Sequence, residues 1–237
     1  KPTKSGYIFS GYGYKSPNGK AFVYSDGTLY GAAIRGTYTG TKEDYTLYAI
    51  WSKKVTFNND GGTGGPSSLY LKGSTLYSDT DLTKEVTSIV VPSKSGYNFK
   101  GYYTNYNNTD VVIINEDGTV NNNTNIFTST SASTALIAKW EKTGISKRTL
   151  DKNGGTGGTS EIYFWNGRIY SDKNATQEIT SITIPNKTGY IFEGYYVSYE
   201  ITDILVIDKN GTKTKDVGAI GAYSTVKAKW TPITYTY

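Results

Sequence analysis

The side chains that carry most enzyme chemistry are absent from this sequence or lie at bends. The 237 residues contain no Cys and no His, which removes thiol nucleophiles, imidazole bases and the two commonest zinc ligands. The 20 Asp and Glu residues could supply a glycosidase-like carboxylate pair, for example Asp117 and Asp208. Both lie beside predicted hairpin bends, where Asp serves turn geometry. We therefore expect no enzyme, no catalytic residue, no cofactor and no metal.

Two glycine-rich segments could bind a cation or a phosphate group. They read NNDGGTGG at residues 58–65 and DKNGGTGG at residues 151–158. A calcium-binding array needs carboxylates repeated in register, and a phosphate loop needs a G-x-x-x-x-G-K-[S/T] segment that opens a helix. Neither segment meets these requirements, so we interpret both as flexible β turns.

Trp165 and Tyr163 are the candidate ligand-binding residues. They lie two positions apart in the segment IYFW, which places both rings on the same face of a strand. Such a pair could stack on a sugar ring. The alternative is that Trp165 packs against a neighbouring module, because the corresponding segment 69–71 has Leu, Tyr and Leu. Both interpretations stay open at the level of sequence.

The composition favours an exported β protein. The chain has 23 Tyr, 7 Phe and 4 Trp but only 36% apolar residues, so burial depends on aromatic rings, which suits thin β layers. A chain without Cys and Met avoids oxidation-sensitive side chains, as exported bacterial proteins do, although the lack of disulfides alone fits the cytosol equally well. We expect an extracellular location at the bacterial cell surface.

The charge pattern restricts the partners. The formal charge is +5 and the pI is near 9.0, with Lys and Arg spread along the chain. This bias would attract anionic wall polymers or acidic glycans weakly, or it reflects solvated strand faces. Nucleic acid is not an expected partner, because no basic stripe or recognition helix is visible. No apolar run reaches the length of a membrane span.

Internal repetition is the main feature of the sequence. Trp51, Trp140 and Trp230 end three similar segments spaced by roughly 90 residues. Upstream of each Trp lies the motif P-x-K-[S/T]-G-Y-x-F-x-G-Y, here called the PKGY motif, at residues 2–12, 92–102 and 185–195. A third element ends in Gly-Gly-Thr-Gly-Gly, here called the GGTGG turn, and occurs twice, at residues 61–65 and 154–158.

These periods predict the organisation of the chain. We expect the C-terminal part of a first repeat at residues 1–51, a second repeat at 52–140 and a third at 141–230. Residues 231–237 look like the start of a further repeat or a tail. Because the first copy has no GGTGG turn, either the sequence begins inside a repeat or the folded module is cut at another point along the period.

Alternation along the PKGY motif predicts which side chains are buried. One face of the second copy carries Tyr97, Phe99, Gly101 and Tyr103. The outward position after Phe changes from Ser10 to Lys100 to Glu193 among the copies, which indicates solvent. The shared Gly predicts a β-bulge or a close approach by a neighbouring aromatic ring. In the closing strands, alternation places the repeat Trp in the core.

Turns and one helix complete the local predictions. Asp26-Gly27, Asp117-Gly118 and Asn210-Gly211 follow β-branched or aromatic runs and predict hairpin bends. Further hairpins are expected at residues 72–73 and 166–167. A short helix, or none, is expected in each full unit within residues 78–89 and their counterpart in the third repeat.

The combined motifs resemble the Listeria–Bacteroides repeat, also called the internalin B-type repeat. The most specific parts are Lys94–Tyr102 and the Ala138-Lys139-Trp140 ending. The family usually has Gly-Trp-Tyr where this chain has Gly101-Tyr102-Tyr103, and the units here are longer. The resemblance implies a small β-grasp-like module, repeated as spacer or adhesive segments of secreted and wall-attached bacterial proteins. It implies no catalytic residues.

These observations together give one expected architecture and function. The fold class is mainly β, with tandem β-grasp-like modules, mixed and antiparallel sheets with hairpins, and an elongated arrangement. The function is a non-catalytic repeat region that acts as a stalk or spacer and an adhesion segment. The alternative is a carbohydrate- or receptor-binding module that uses exposed aromatics and Lys. Expected partners are neighbouring repeats of the same chain, a host-surface protein, a glycan or a wall polymer.

Overall fold

The regular structure of the protein is mainly β-strand, which confirms the predicted mainly β class. The computed structural model describes residues 1–14, 17, 21–30, 46–128, 133–199 and 201–234. The chain divides into two compact units, Lys1–Glu141 and Lys142–Tyr237. Within the described residues, no helix is long and apolar enough to cross a membrane.

The second unit contains one mixed sheet of six strands. Its strands are β9 Ser146–Asp151, β10 Glu161–Trp165, β11 Arg168–Tyr170, β12 Tyr190–Tyr199, β13 Thr202–Ile207 and β14 Thr225–Pro232. The strand order is β11-β10-β9-β14-β12-β13, with β9 and β14 parallel and the other pairs antiparallel. A β-grasp-like module requires such a central parallel pair of first and last strands; assignment to that fold stays a prediction.

The first unit repeats this order and adds two strands. Its strands are β1 Ile8–Tyr14, β2 Ala21–Val23, β3 Leu47–Asn58, β4 Ser68–Lys72, β5 Thr75–Tyr77, β6 Tyr97–Tyr106, β7 Thr109–Ile114 and β8 Ala135–Lys142. Here β3 and β8 form the parallel pair, while β1 and β2 extend the sheet beyond β3.

Strand β3 runs without interruption through the predicted boundary between residues 51 and 52. Its first half pairs with β1, and its second half pairs with β4 and β8. At the corresponding boundary near residue 141, β8 ends at Lys142 and β9 begins at Ser146, with Gly144 at φ 73 between them. The predicted repeat boundaries themselves stay a prediction.

The shared Gly of the PKGY motif forms a β-bulge in every copy, as predicted. The register shifts next to Gly11, Gly101 and Gly194, whose φ angles are 113, 108 and 126. A Cβ at Gly101 would lie 2.5 Å from the carbonyl oxygen of Ile114. The close approach therefore comes mainly from the backbone of the neighbouring strand, and only Gly has both the conformation and the space.

This bulge makes one predicted face assignment wrong. Alternation places Tyr103 in the core with Phe99, but Tyr102 is the fully buried residue and Tyr103 is only half-buried. The extra residue at the bulge shifts the alternation by one position, so Phe99 and Tyr102 face the core together. Their ring centroids lie 5.1 Å apart in an edge-to-face contact.

The outward position after Phe is not solvated in the first copy. Ser10 is 0% exposed and its hydroxyl lies 2.8 Å from that of Ser52, which is 1% exposed. Lys100 and Glu193, the counterparts of Ser10, are half-buried. The prediction from charge reversal is therefore wrong for the first copy, because two small hydroxyl groups satisfy each other there and tolerate burial.

Residues 78–89 form no helix, which is one of the two outcomes that the sequence predicts. The Asp79 carboxylate accepts hydrogen bonds from the backbone N–H groups of Thr83 and Lys84, and Leu82 has a φ of 58, so the segment closes as a loop. Single 3₁₀ helices lie elsewhere, at Asn122–Thr128 and Val217–Ala222. Local hydrogen bonding by Asp competes with helix formation in this way.

The hairpin bends are confirmed. Gly27, Gly118 and Gly211 have φ angles of 96, 87 and 84. The Asp117 carboxylate accepts from the backbone N–H of Thr119, and that of Asp208 accepts from the N–H of Thr212, both at 2.9 Å. These two carboxylates therefore shape turns, as the sequence predicts.

Each unit has its own apolar core, and a buried tyrosine occupies the same place in both. Tyr102 and Tyr195 are each 0% exposed. The Tyr102 hydroxyl donates a hydrogen bond to the side-chain oxygen of Asn59. Within the part of the chain that the structure describes, the Tyr195 hydroxyl has no hydrogen-bond partner, because Lys152 replaces Asn at the position that corresponds to Asn59.

This difference predicts opposite effects of the same substitution. Tyr102→Phe should lower the free energy of unfolding by about 1 kcal/mol, because it leaves Asn59 without its donor. Tyr195→Phe should be neutral or stabilising by up to about 1 kcal/mol, because it removes an unpaired buried hydroxyl. Urea unfolding of both variants measures the difference. Equal losses would show that the Tyr195 hydroxyl has a partner, such as an ordered water.

The same two tyrosines predict a loss of stability at high pH. Burial raises the pKa of Tyr102 and of Tyr195 from 10.0 to about 12, so the folded state keeps both hydroxyls protonated. Their contribution to the free energy of unfolding is complete below about pH 10. It is lost as the pH rises from 10 to 12, because in that range the two hydroxyls ionise readily only in the unfolded chain. Urea midpoints between pH 9 and 11.5 should fall, and the double Tyr→Phe variant should fall less steeply.

Candidate functional site

The repeat tryptophans lie against the GGTGG turns. The indole N–H of Trp140 donates to the carbonyl oxygen of Asn59 at 3.0 Å. That of Trp230 donates to the carbonyl oxygen of Lys152 at 2.9 Å. A Cβ at Gly62 would lie 2.4 Å from the Trp140 ring. The predicted packing of Trp against the core is confirmed, but both rings stay half-buried because one edge serves the turn.

The lysine of the PKGY motif donates a hydrogen bond to the backbone of the same turn. Lys94 Nζ donates to the carbonyl oxygen of Asp60 at 2.7 Å and lies 4.7 Å from the ring centroid of Tyr97. It also lies 5.6 Å from the Trp140 ring. Sequence interpretation assigned no role to this lysine, although its presence in all three copies was a usable signal.

The third repeat reproduces this arrangement with its own residues. Lys187 Nζ donates to the carbonyl oxygen of Asn153 at 3.2 Å and lies 4.5 Å from the Tyr190 ring and 5.9 Å from the Trp230 ring. We call the Trp, the Lys and the Tyr together the turn clamp. Each ring–ammonium contact at a half-exposed site contributes about 0.5 to 1 kcal/mol.

The GGTGG turns are paired backbone segments and not open ligand loops. Thr63 and Ser93 exchange two N–H to carbonyl hydrogen bonds of 2.8 Å, and Thr156 and Asn186 do the same at 2.7 and 2.8 Å. The turn prediction is confirmed. Within the described residues, no group of three or more acidic side chains could hold a metal ion.

Trp165 lies at the segment that joins β8 to β9. Its indole N–H donates to the carbonyl oxygen of Thr143 at 2.8 Å. Lys142 Nζ lies 4.7 Å from the Trp165 ring, and the ring centroid of Tyr170 lies 6.5 Å away in an edge-to-face contact. The Trp165 ring is half-buried. The indole N–H and the Lys142 ammonium group therefore connect Trp165 to the segment that joins β8 to β9, here called the joint.

The other candidate, Tyr163, has a different environment. Its hydroxyl lies 3.2 Å from Glu161 Oε1, and it is paired across the hairpin with Tyr170. The structure thus brings Tyr163 and Trp165 to one half-buried strand, β10, within the reach of Tyr170. Whether this pair binds a ligand stays a prediction.

Outward-facing lysines are also matched by local partners. Lys139 contacts the Asp110 carboxylate and lies 4.5 Å from the Tyr103 ring. Lys229 contacts the carboxylate of Asp203 in the third repeat. The hydrogen bond from Lys139 lowers the pKa of Asp110, and that from Lys229 lowers the pKa of Asp203. These exposed pairs add little stability each, but they reduce the positive charge that is free to attract anions.

The turn clamp predicts energetic coupling between one Gly and one Trp. A Cβ at Gly155 would lie 2.6 Å from the Trp230 ring, so Gly155→Ala should cost about 2 kcal/mol of unfolding free energy. In a Trp230→Phe background the smaller ring leaves room, and the cost should fall by about 1 kcal/mol or more.

Gly218→Ala is the matched control for this cycle, because a Cβ there meets nothing within 4 Å. It should leave stability nearly unchanged. Urea unfolding of the single and double variants gives the coupling energy. Additive losses would contradict a direct contact between Gly155 and Trp230.

Comparison with known proteins supports one family. No curated protein and no solved structure matches the chain at a significant level. Residues 54–139 match the Listeria-Bacteroides repeat domain. The matched range contains the GGTGG turn, the PKGY motif and the closing strand of the second repeat, which the structure assembles into one turn clamp. The resemblance deduced from these motifs is therefore confirmed for residues 54–139, which match this family.

Proposed function

We propose that the chain is a non-catalytic repeat region of a secreted or cell-wall-attached bacterial surface protein and acts as a stalk or spacer. The observation that carries this proposal is the use of the shared aromatic and lysine side chains. In the second and third repeats, the Trp, Lys and Tyr of the turn clamp contact one another and the GGTGG turn. Residues repeated for such internal contacts serve the integrity of each module.

The family supports the coarser part of this proposal. Listeria-Bacteroides repeat domains occur in bacterial surface proteins, and the second repeat matches that family. The uninterrupted strand β3 supports a spacer role, because backbone hydrogen bonds on either half of it connect residues 1–51 to residues 52–140. Neighbouring repeats are then the main partners, and the mechanism lies in length and surface display.

A second candidate function is a carbohydrate- or receptor-binding module centred on Trp165 and Tyr163. The observation in its favour is that Trp165 is specific to the third repeat and remains half-buried next to Lys142. A half-exposed indole offers a ligand both an apolar ring face and an N–H donor. The contacts of Trp165 with Thr143 and Lys142 favour the spacer role instead, because they tie the ring to the joint.

Binding to glycans and wall polymers distinguishes the two functions. The whole chain and its Trp165→Ala and Trp165→Phe variants are titrated against neutral glycans and an anionic wall polymer at about 20 and 150 mM salt, which changes the screening of exposed charges. A spacer gives no saturable binding, or weak polymer binding that salt removes equally in all three proteins.

A binding module gives a different pattern. Saturable glycan binding at both salt concentrations, lost in Trp165→Ala and retained in Trp165→Phe, would contradict the spacer proposal and support a stacking site. The Phe variant is the control for the joint, because it keeps an aromatic ring but cannot donate to Thr143. Circular dichroism of each variant confirms that the β structure is intact.

A further inference from the structure

The opening and closing strands of the third repeat are direct neighbours and run in the same direction. Residues Thr149–Asp151 of β9 pair in parallel with residues Thr225–Lys227 of β14. The chain enters the repeat at the start of β9 and leaves it at the end of β14. Tension along the chain therefore pulls these two paired strands in opposite directions along their own axes, which is a shearing load.

A shearing load differs from a peeling load in the number of bonds that resist it at once. Two sheared strands slide only when all the hydrogen bonds between them stretch together, whereas peeled strands separate one bond at a time from the loaded end. The evenly spaced bonds of a parallel pair distribute the load along the pair. Because unfolding under force is governed by the rate of unfolding, such a pair delays unfolding beyond what equilibrium stability alone would give.

Two side chains add hydrogen bonds between the same two segments. The indole N–H of Trp230 on β14 donates to the carbonyl oxygen of Lys152, which directly follows β9, at 2.9 Å. The side-chain amide of Asn153 donates to the carbonyl oxygen of Ala228 on β14 at 3.0 Å. We call the parallel pair together with these two bonds the shear seam.

The shear seam lies at the centre of the sheet, and the two hairpins lie on either side of it. The β10–β11 hairpin pairs with the other edge of β9, and the β12–β13 hairpin pairs with the other edge of β14. Force that passes directly from β9 to β14 crosses neither hairpin. The hairpins and their loops therefore lie outside the path of the load.

The second repeat has the same seam without the amide donor. Residues Thr56–Asn58 of β3 pair in parallel with residues Ala135–Ile137 of β8. The indole N–H of Trp140 donates to the carbonyl oxygen of Asn59. Asp60 stands at the position of Asn153, and its carboxylate cannot donate a hydrogen bond to β8.

We propose that the shear seam is the force-bearing element of each full repeat, so that the repeats form a tension-resistant tether. This inference rests on the proposed spacer function, because a repeat carries tension where it connects a surface to what the protein holds. The two stand or fall by different measurements. Glycan binding lost in Trp165→Ala would contradict the spacer, whereas the mechanical test below addresses the seam alone.

Single-molecule pulling of the whole chain in two directions tests the seam. The chain contains no Cys, so two introduced thiols attach handles at chosen exposed positions. Lys147→Cys with Thr231→Cys loads the start of β9 and the end of β14, which shears the seam. Lys147→Cys with Thr225→Cys loads the same end of both strands, which peels it. At one loading rate, the shearing pair should unfold the third repeat at a force at least about twofold higher.

Two substitutions in the seam and one outside it test the load path. Asn153→Asp introduces the residue of the second repeat and removes the bond to Ala228, while Trp230→Phe removes the bond to Lys152. Each should raise the rate of unfolding under a constant shearing force at least about fivefold. Ile169→Val on β11 is the control: Ile169 is 0% exposed, so the change lowers equilibrium stability.

The control should nevertheless change the unfolding rate under shearing force less than about twofold, because the contacts of β11 are still intact when the seam breaks. Urea unfolding gives the equilibrium loss of each variant for comparison. If Trp230→Phe does not fold, Asn153→Asp decides alone, since Asp occupies this position in the second repeat.

Two results would overturn the proposal. Equal unfolding forces in the two pulling directions would show that the seam is not loaded as a unit. An effect of Ile169→Val as large as that of the seam variants would show that all three act through overall stability. Higher force in the shearing direction, with faster unfolding confined to the seam variants, is the result that the proposal requires.

Discussion

The contact between a tryptophan and a glycine turn is the interaction on which each full repeat depends. The closing strand comes at the end of the repeat and the GGTGG turn near its start, so the indole of Trp140 reaches Asn59 across 81 positions of sequence. The contact fixes the register of the central parallel strands, because the ring fits only against a residue without a side chain. Parallel pairing between distant segments needs such a fixed point, since no tight turn defines its alignment.

Aromatic residues make this arrangement possible in a chain with little aliphatic surface. Phe99 contacts both Tyr102 and Trp140 edge to face, at 5.1 and 5.5 Å, and Phe192 makes the same contacts in the third repeat. Each ring covers a large area and keeps a polar tip for a carbonyl or amide. The ammonium group of the clamp lysine lies 5.6 Å from the Trp140 ring centroid in the second repeat and 5.9 Å from that of Trp230 in the third. The result is a thin module whose most characteristic side chains contact one another.

The two repeat boundaries differ in whether a strand continues through them. Between residues 51 and 52 a single strand belongs to both neighbours, and the Ser25 backbone N–H also donates to the Asp81 carboxylate at 2.8 Å. After Lys142 the strand is interrupted, and Trp165 of the third repeat contacts the inserted segment through Thr143. A tryptophan that the second repeat lacks thus contacts a segment that the boundary after residue 51 lacks, which gives this side chain a structural role.

Sequence repetition by itself determined the strands, the bends and the glycine positions, because these depend on local backbone preferences that recur in every copy. Gly101 and Gly118 were identified in this way, as was the family. Tertiary structure alone decided which tyrosine after the bulge is buried, because one extra residue reverses the alternation at Tyr102. It also decided the roles of Lys94 and Trp165, whose partners lie more than twenty positions away.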